Sequence, residues 1–527
     1  MNYKKSPMTP DTNSSKFRLA INASSNMMSD FLRMAIAIFM TPFLLTRLGA
    51  AAYSILPLVN SCTSFLVLAS GGIQGSVGRY FTLHLANNEN YTANQYVNTA
   101  FFLMALVLGI AFVPLLAVSY LFPTFLQVPI GYEHKSQIVM LLMGANLYVD
   151  MLSNPFSIGF YSKQRFELRA IILCLKQLLH VLLVVSLFIF VASDILMVAS
   201  SMIFTTSVAS FFMIYFSKRM VPTLRCSPKF FDKSKLSDIG SYSFWILLSQ
   251  VSWLIILNTD YIIINKFVGP AAVASYSLVA RWNETIRATM MSAVAVITPL
   301  ATELQAKDRN SQICTLLVRS VRLSIILLMA PSILLCVFGK ELLLVWVGPD
   351  YLEASSLFWP VVLPLSWILL ELPLRYILNG LGMVKYPALA GLGSAILNLI
   401  LSLVLVATFN MGAMGVALAS AISLTLLNLV FMPFYVSSTL KIKPITLLRQ
   451  FFGPVIASSP MIALALLLKH FYSVTNWPSL IISVSACVVV YIISAYSFVL
   501  TLPEKQHVIS ACSSIILWAK KATLESH

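Results

Sequence analysis

Charged side chains are scarce in this chain: Asp, Glu, Lys and Arg make up 10% of its 527 residues, against about 25% in an ordinary soluble protein. That shortage, beside 58% hydrophobic residues, excludes a soluble domain with a single anchor and points to a polytopic membrane protein. Acidic groups are the scarcer sign, 19 against 35 basic. A net charge of +16 would suit a nucleic-acid binder if the bases formed a patch. Most of them instead lie in short connections between apolar runs, where the positive-inside rule puts them. Cysteine is sparse and unpatterned. Cys62, Cys174, Cys226, Cys314, Cys336, Cys487 and Cys512 form no CxxC and no Cys/His spacing, so they read as small apolar helix residues, not disulfides or metal ligands. No metal or cofactor is expected. Residues 1–15 lack the apolar core of a cleavable leader, and the first span itself is expected to direct insertion. Large external loops are missing as well. The longest, near Gly339 to Tyr351, offers Lys340, Glu341 and Asp350 without a nucleophile–base pattern, which argues against a membrane polymerase or ligase. The chain does not read as an enzyme.

Long apolar runs are abundant. A bilayer core needs about 20 largely apolar residues per helix. Fourteen segments qualify, near 18–46, 52–78, 96–122, 136–160, 168–192, 195–217, 238–267, 272–302, 313–338, 352–379, 386–409, 412–437, 446–471 and 477–501. With the N-terminus on the cytoplasmic side, that side collects 23 basic residues outside the spans and the opposite side 5. Both termini are therefore expected to be cytoplasmic. The connection Ser217 to Ser237 holds six of those bases and divides two similar stretches. Gly49-Ala50-Ala51-Ala52-Tyr53-Ser54 follows the first span, and Gly269-Pro270-Ala271-Ala272 with Tyr276-Ser277 follows the seventh. Arg165-Phe166 opens the fifth span and Lys385-Tyr386 the eleventh. The offset is shared, which predicts an internal duplication. The expected architecture is all-α, with two parallel six-helix repeats and two further C-terminal helices. Its parts are a cytoplasmic tail 1–17, a first bundle 18–217, a basic linker 218–237, a second bundle 238–437, two added spans 438–501 and a cytoplasmic tail 502–527. In such repeats the binding site is expected where the two units meet.

Three stretches carry a family resemblance. They are Thr41-Pro42-Phe43-Leu44-Leu45-Thr46-Arg47-Leu48-Gly49 with Ala52-Tyr53; Asn258-Thr259-Asp260-Tyr261-Ile262-Ile263-Ile264 with Gly269; and Leu378-Asn379-Gly380-Leu381-Gly382-Met383-Val384-Lys385-Tyr386-Pro387, continuing to Asn398 and Gly412-Ala413-Met414-Gly415-Val416-Ala417. Over residues 17 to 440 the chain resembles the multidrug/oligosaccharidyl-lipid/polysaccharide exporter superfamily, and most of all its polysaccharide transporters, which include O-antigen flippases. The resemblance implies a flippase of polyprenyl-pyrophosphate-linked oligosaccharide in a bacterial inner membrane, working by alternating access. Membrane lipids and polysaccharide-assembly proteins are its implied partners, and protons or sodium its implied coupling ions. A multidrug/cation antiporter of the same superfamily is the alternative.

Seven basic residues fall inside the spans: Arg33, Lys176, Arg281, Arg287, Arg319, Arg322 and Arg375. Each costs roughly 2.5–3.5 kcal/mol at mid-bilayer, so the set is expected to turn inward onto a wet, basic cavity. Arg281, Glu284 and Arg287 recur every third residue and share one helix face. Their net positive stripe either meets a pyrophosphate, for which guanidinium geometry is suited, or snorkels to the interface. Asp30 and Arg33 lie three apart on a polar first span. They form either a self-neutralising pair or, for Arg33, a substrate contact of the kind the resemblance implies. Glu371 and Arg375 lie four apart around Pro373, as a structural ion pair or part of a moving, kinked element. Lys176, four residues before His180, needs a cross-helix partner or a ligand phosphate. Arg319 and Arg322 read as snorkelling into headgroups. Asp260, and less strongly Asp150, are candidates for titration that couples transport to protons or sodium. The stretch Ser70-Gly71-Gly72-Ile73-Gln74-Gly75-Ser76 is too glycine-rich for a rigid helix; it suits a hinge or a close helix approach.

Overall fold

The computed structural model describes residues 12–67, 81, 84, 89–162, 165–224, 227–294, 297–306, 309–472, 474–502 and 504–506; the side chains of 12–31, 33, 236–244 and a few single positions lie outside the described set. Among the described residues there are helices and turns and no strand. In chain order the main helices are α1 (Thr12–Ser64), α2 (Asn90–Phe125), α3 (Glu133–Ser153), α4 (Phe166–Phe190), α5 (Ile195–Met220), α6 (Lys235–Phe267), α7 (Pro270–Val294), α8 (Ile297–Ala306), α9 (Asn310–Val337), α10 (Gly339–Trp346), α11 (Glu371–Gly380), α12 (Lys385–Ala407), α13 (Gly412–Thr425), α14 (Met432–Leu440), α15 (Phe452–Phe471) and α16 (Trp477–Phe498).

Among the described residues, twelve helical stretches are long and apolar enough to cross a membrane. The difference from fourteen has two causes. The first two expected spans are joined in α1, which breaks at Gly49 with φ 80° and ψ 160°, a conformation open essentially to glycine alone. Residues 68–80, which contain the glycine-rich stretch 70–76, lie outside the described residues. The eighth expected span is α7, where Arg281, Glu284 and Arg287 dilute the apolar character.

The helices gather into two compact units, residues 1–295 with 382–427, and residues 296–381 with 428–527. In the first unit α1 packs on α4, α6 and α7, α3 on α5, and α6 on α12. Within that unit α6 and α7 pack on α1, which precedes the 218–237 linker, while α12 packs on α6, and α13 on α12, α6 and α7. Small residues allow close approach: a Cβ on Gly391 of α12 would meet Ser252 of α6 at 3.6 Å, the kind of contact that drives helix pairing where lipid supplies no hydrophobic force. Phe43 of α1 stacks on Phe188 of α4 with centroids 5.7 Å apart. The outer face of α4 leaves Leu175, Leu178, Leu182 and Ile189 exposed, a single stripe suited to acyl chains.

In the second unit α9 packs on α11 and α15, α8 on α11, and α15 on α16. Phe338 and Phe358 are fully buried there. α16 starts at a reciprocal cap in which Asn476 and Ser479 satisfy each other's backbone N–H groups, and its Ile481, Ile482, Ile492 and Ile493 stay bare.

Candidate functional site

Most of the candidate charges lie in the first unit. On α7, Arg281 donates from Nη1 to Glu284 Oε2 at 3.0 Å, one turn away, and both side chains are half-exposed. Arg287, another turn on, is only 9% exposed. Its guanidinium lies over the indole of Trp253 on α6, 4.7 Å from the ring centroid. Its Nε and Nη2 meet no hydrogen-bond partner among the described residues. A planar cation held face-on by an aromatic ring keeps its N–H edge available for a bidentate anion.

Asp260 on α6 sits in a different setting. It is 4% exposed, and its Oδ2 accepts from the Tyr276 hydroxyl at 2.8 Å and the Ser420 hydroxyl at 3.0 Å. Asn398 on α12 donates to that same Ser420 oxygen at 2.8 Å. Oδ1 of Asp260 meets no partner among the described residues. Four helices, α6, α7, α12 and α13, thus place oxygen-bearing side chains around one buried carboxyl. A buried carboxyl with a spare oxygen needs either a proton or a cation, since an isolated carboxylate in a dry site is too costly. α6 is fixed to α1 close by, where the Ser61 hydroxyl donates to the Asn258 carbonyl.

The profile of the polysaccharide biosynthesis protein family matches residues 19–305, more than half of the chain. The chain belongs to this family. The MatE family profile matches residues 246–404. Among curated relatives, the uncharacterized membrane protein EpsK of Bacillus subtilis is 24% identical over 495 residues, 93% of this chain and 97% of that protein. The probable low-salt glycan biosynthesis flippase Agl15 of Haloferax volcanii is 26% identical over 227 residues, 42% of this chain and 44% of that protein. The solved structure of the lipid II flippase MurJ in an inward closed conformation aligns with a TM-score of 0.67 at 13% identity, over 90% of this chain and 98% of MurJ. An inward-facing multidrug resistance MATE family transporter aligns at 0.64 and 15% identity, over 80% and 98%. These likenesses establish the fold. They place this polysaccharide biosynthesis family member in the multidrug/oligosaccharidyl-lipid/polysaccharide exporter superfamily, on its polysaccharide transporter branch, as a multi-pass membrane protein among transporters.

Several other candidates of this family member meet charged partners within the protein. Lys176 on α4 has the cross-helix partner it requires, Asp150 on α3, with Nζ 3.6 Å from Oδ1. The neighbouring His180 ring meets Ser201 Oγ on α5 at 3.1 Å. In the second unit Arg375 and Glu371 form an ion pair along α11, with Glu371 2% and Arg375 22% exposed. Arg319 and Arg322 of α9 do not simply reach outward. Glu504 stands between them, its Oε1 2.5 Å from Arg322 Nη2 and 3.7 Å from Arg319 Nε. The side chains of Asp30 and Arg33 lie outside the described residues.

Sequence reasoning does not single out Trp253, Ser420 or Glu504, and it marks Tyr276 only as part of the internal repeat and Asn398 only as part of a resembling stretch. A buried polar residue within an apolar helix was the available signal for Asn398. Trp253 gave none, since an indole in a span reads as packing.

Proposed function

We propose that the protein flips a polyprenyl-pyrophosphate-linked oligosaccharide, a repeat unit of O-antigen or another surface polysaccharide, across a bacterial inner membrane, with both termini cytoplasmic. The observation that carries this reading is Arg287: a buried guanidinium seated on Trp253 whose Nε and Nη2 lack hydrogen-bond partners among the described residues, one turn from the Arg281–Glu284 pair. A pyrophosphate supplies the acceptors this edge lacks, with Arg281 as second ligand. A sugar headgroup cannot cross hydrocarbon unaided, because each unpaired polar group costs several kcal/mol. Exposing these bases first to one membrane face and then to the other moves the headgroup while the polyprenyl tail stays in lipid. The names of Agl15 and MurJ, both flippases, favour this cargo over a drug, and a cationic drug would gain nothing from Arg287. Lys176 in the first unit and Arg375 in the second are further substrate-binding residues, each held by its acidic partner, Asp150 and Glu371. Arg33 is a further substrate contact, with Asp30 as its charge balance. Asp260, with Tyr276, Ser420 and Asn398, is the seat of proton or sodium coupling, and polysaccharide-assembly proteins receive the product.

The test is lipid extraction and mass spectrometry on a deletion strain carrying wild-type, Arg287→Lys or Arg287→Gln protein. The deletion and Arg287→Gln should accumulate pyrophosphate-linked oligosaccharide and lose the surface polymer, with Arg287→Lys between them. Unchanged lipid pools with altered drug sensitivity in the deletion strain would replace the flippase reading with the antiporter.

A further inference from the structure

Away from the Arg287 and Asp260 sites, the second unit holds a cavity of about 550 Å³ lined by Arg319, Arg322, Lys443, Thr446, Thr501 and Glu504, with Val318 and Ile442 among its apolar walls. Three cations face one carboxylate. The carboxylate is not free to leave. Glu504 Oε2 accepts from its own chain, the Thr501 backbone N–H at 2.9 Å and the Thr501 hydroxyl at 2.7 Å, which turns Oε1 toward Arg322 and Arg319. One carboxylate cannot satisfy two guanidinium groups and an ammonium. Arg322 Nε remains buried without a hydrogen-bond partner among the described residues, and the Arg319 side chain is 42% exposed.

The position of the cavity says which anion would reach it. Lys443 and Thr446 stand where the α15 region begins its span, and Thr501 just beyond the end of α16. Arg319 and Arg322 line the same cavity, so it lies beside the point where two membrane spans end, the region in which lipid headgroups meet a protein. From Arg319 the positions four and eight residues further along α9, Leu323 and Leu327, are 40% and 50% exposed. Residues at this spacing share one helix face, so an apolar track leads away from the basic cavity toward the bilayer interior. A molecule with a phosphate at one end and acyl chains at the other matches both parts.

We infer that this cavity binds the phosphate of an anionic membrane lipid, with Arg319, Arg322 and Lys443 as its ligands and Glu504 as a resident competing anion. The competitor sets the affinity: the lining has a net charge of +2 with Glu504 present and +3 without it. Glu504 thus keeps the second unit's basic mouth from being saturated by bulk lipid, and a headgroup must share Arg322 with it.

The experiment is native mass spectrometry of the full-length protein in detergent, titrated with dioctanoyl-phosphatidylglycerol, dioctanoyl-phosphatidylcholine or inorganic phosphate. Wild type should retain phosphatidylglycerol over phosphatidylcholine. Glu504→Gln should tighten phosphatidylglycerol about fivefold, the effect of removing one nearby like charge at solvent-like screening. Arg319→Gln/Lys443→Gln should erase the preference, and keeps the inference testable if Glu504→Gln does not fold. Equal retention of the two lipids, or a preference unchanged in Arg319→Gln/Lys443→Gln, would overturn the site. Inorganic phosphate binding as tightly as phosphatidylglycerol would overturn the lipid assignment and make the free anion the ligand.

Discussion

Replacing Arg375 with methionine tests whether its charge serves the fold or the cargo. Glu371, its partner one turn earlier on α11, is 2% exposed, so Arg375→Met strands a buried carboxylate. Removing one member of such a pair costs about 3–5 kcal/mol. For a cooperative unit of roughly 200 residues each kcal/mol is about 2–4 °C, so thermal unfolding in detergent should fall on the order of 10 °C. The double variant Glu371→Gln/Arg375→Met removes the stranded charge with nearly the same shapes. Pairs replaced in this way are often neutral or more stable, so the double variant should recover most of the loss. The cycle is followed by tryptophan fluorescence on heating, with pyrophosphate-linked lipid measured in cells carrying each variant. If Arg375→Met melts like wild type, or if the double variant melts as low as the single, the carboxylate is not the cause and the argument fails. A double variant that is stable yet accumulates lipid intermediates would show that Arg375 meets the substrate as well.

Gly159→Ala should destabilise by about 1–3 kcal/mol, since the new Cβ would fall 2.3 Å from Ser217 Oγ and 3.0 Å from Ser217 Cα. Gly391→Ala, with its nearest neighbour at 3.6 Å, should be close to neutral in the same melting assay. Asp194 caps α5 by accepting from the Leu196 N–H at 3.0 Å and holds Lys135 at 2.6 Å; Asp194→Ala should cost about 1–2 kcal/mol, read as a lower melting temperature. Burial alone would raise the Glu504 carboxyl, but the Thr501 donors and Arg322 outweigh it and hold it below the usual 4.5. A lowered acid stabilises the fold fully above its unfolded value and loses that effect as pH falls through the folded one. Melting should therefore drop as pH falls below 4.5, by more in wild type than in Glu504→Gln.

Helices are legible in the sequence because they are written locally: apolar length marks a span. The partnerships are not. Nothing near Lys176 in sequence names Asp150, and only the packing of α3 on α4 brings them within 3.6 Å. Glu504 is 182 residues from Arg322, and Ser420 is 160 from Asp260. Local spacing did find the pairs one helical turn apart, Arg281 with Glu284 and Glu371 with Arg375. It also grouped Arg287 with the first of these, whereas the folded chain sets it on an indole from another helix. Charge spacing reports which residues share a face, and the neighbouring helix decides what that face meets.

The break at Gly49 bears on more than the shape of α1. Every crossing of a bilayer moves the chain to the other compartment, so the address of each later loop depends on how many crossings precede it. If α1 reverses at Gly49 it contributes two crossings, and all downstream connections keep the side their lysines prefer. If it ran straight it would contribute one, and every one of them would change compartment. No atom outside the adjoining backbone lies within 4 Å of the place a Cβ would occupy there. A substitution at Gly49 would therefore strain the backbone without opening a hole or making a side-chain clash; if the reversal gave way, loops would be delivered to the wrong side of the membrane, readable by labelling cysteines placed in them.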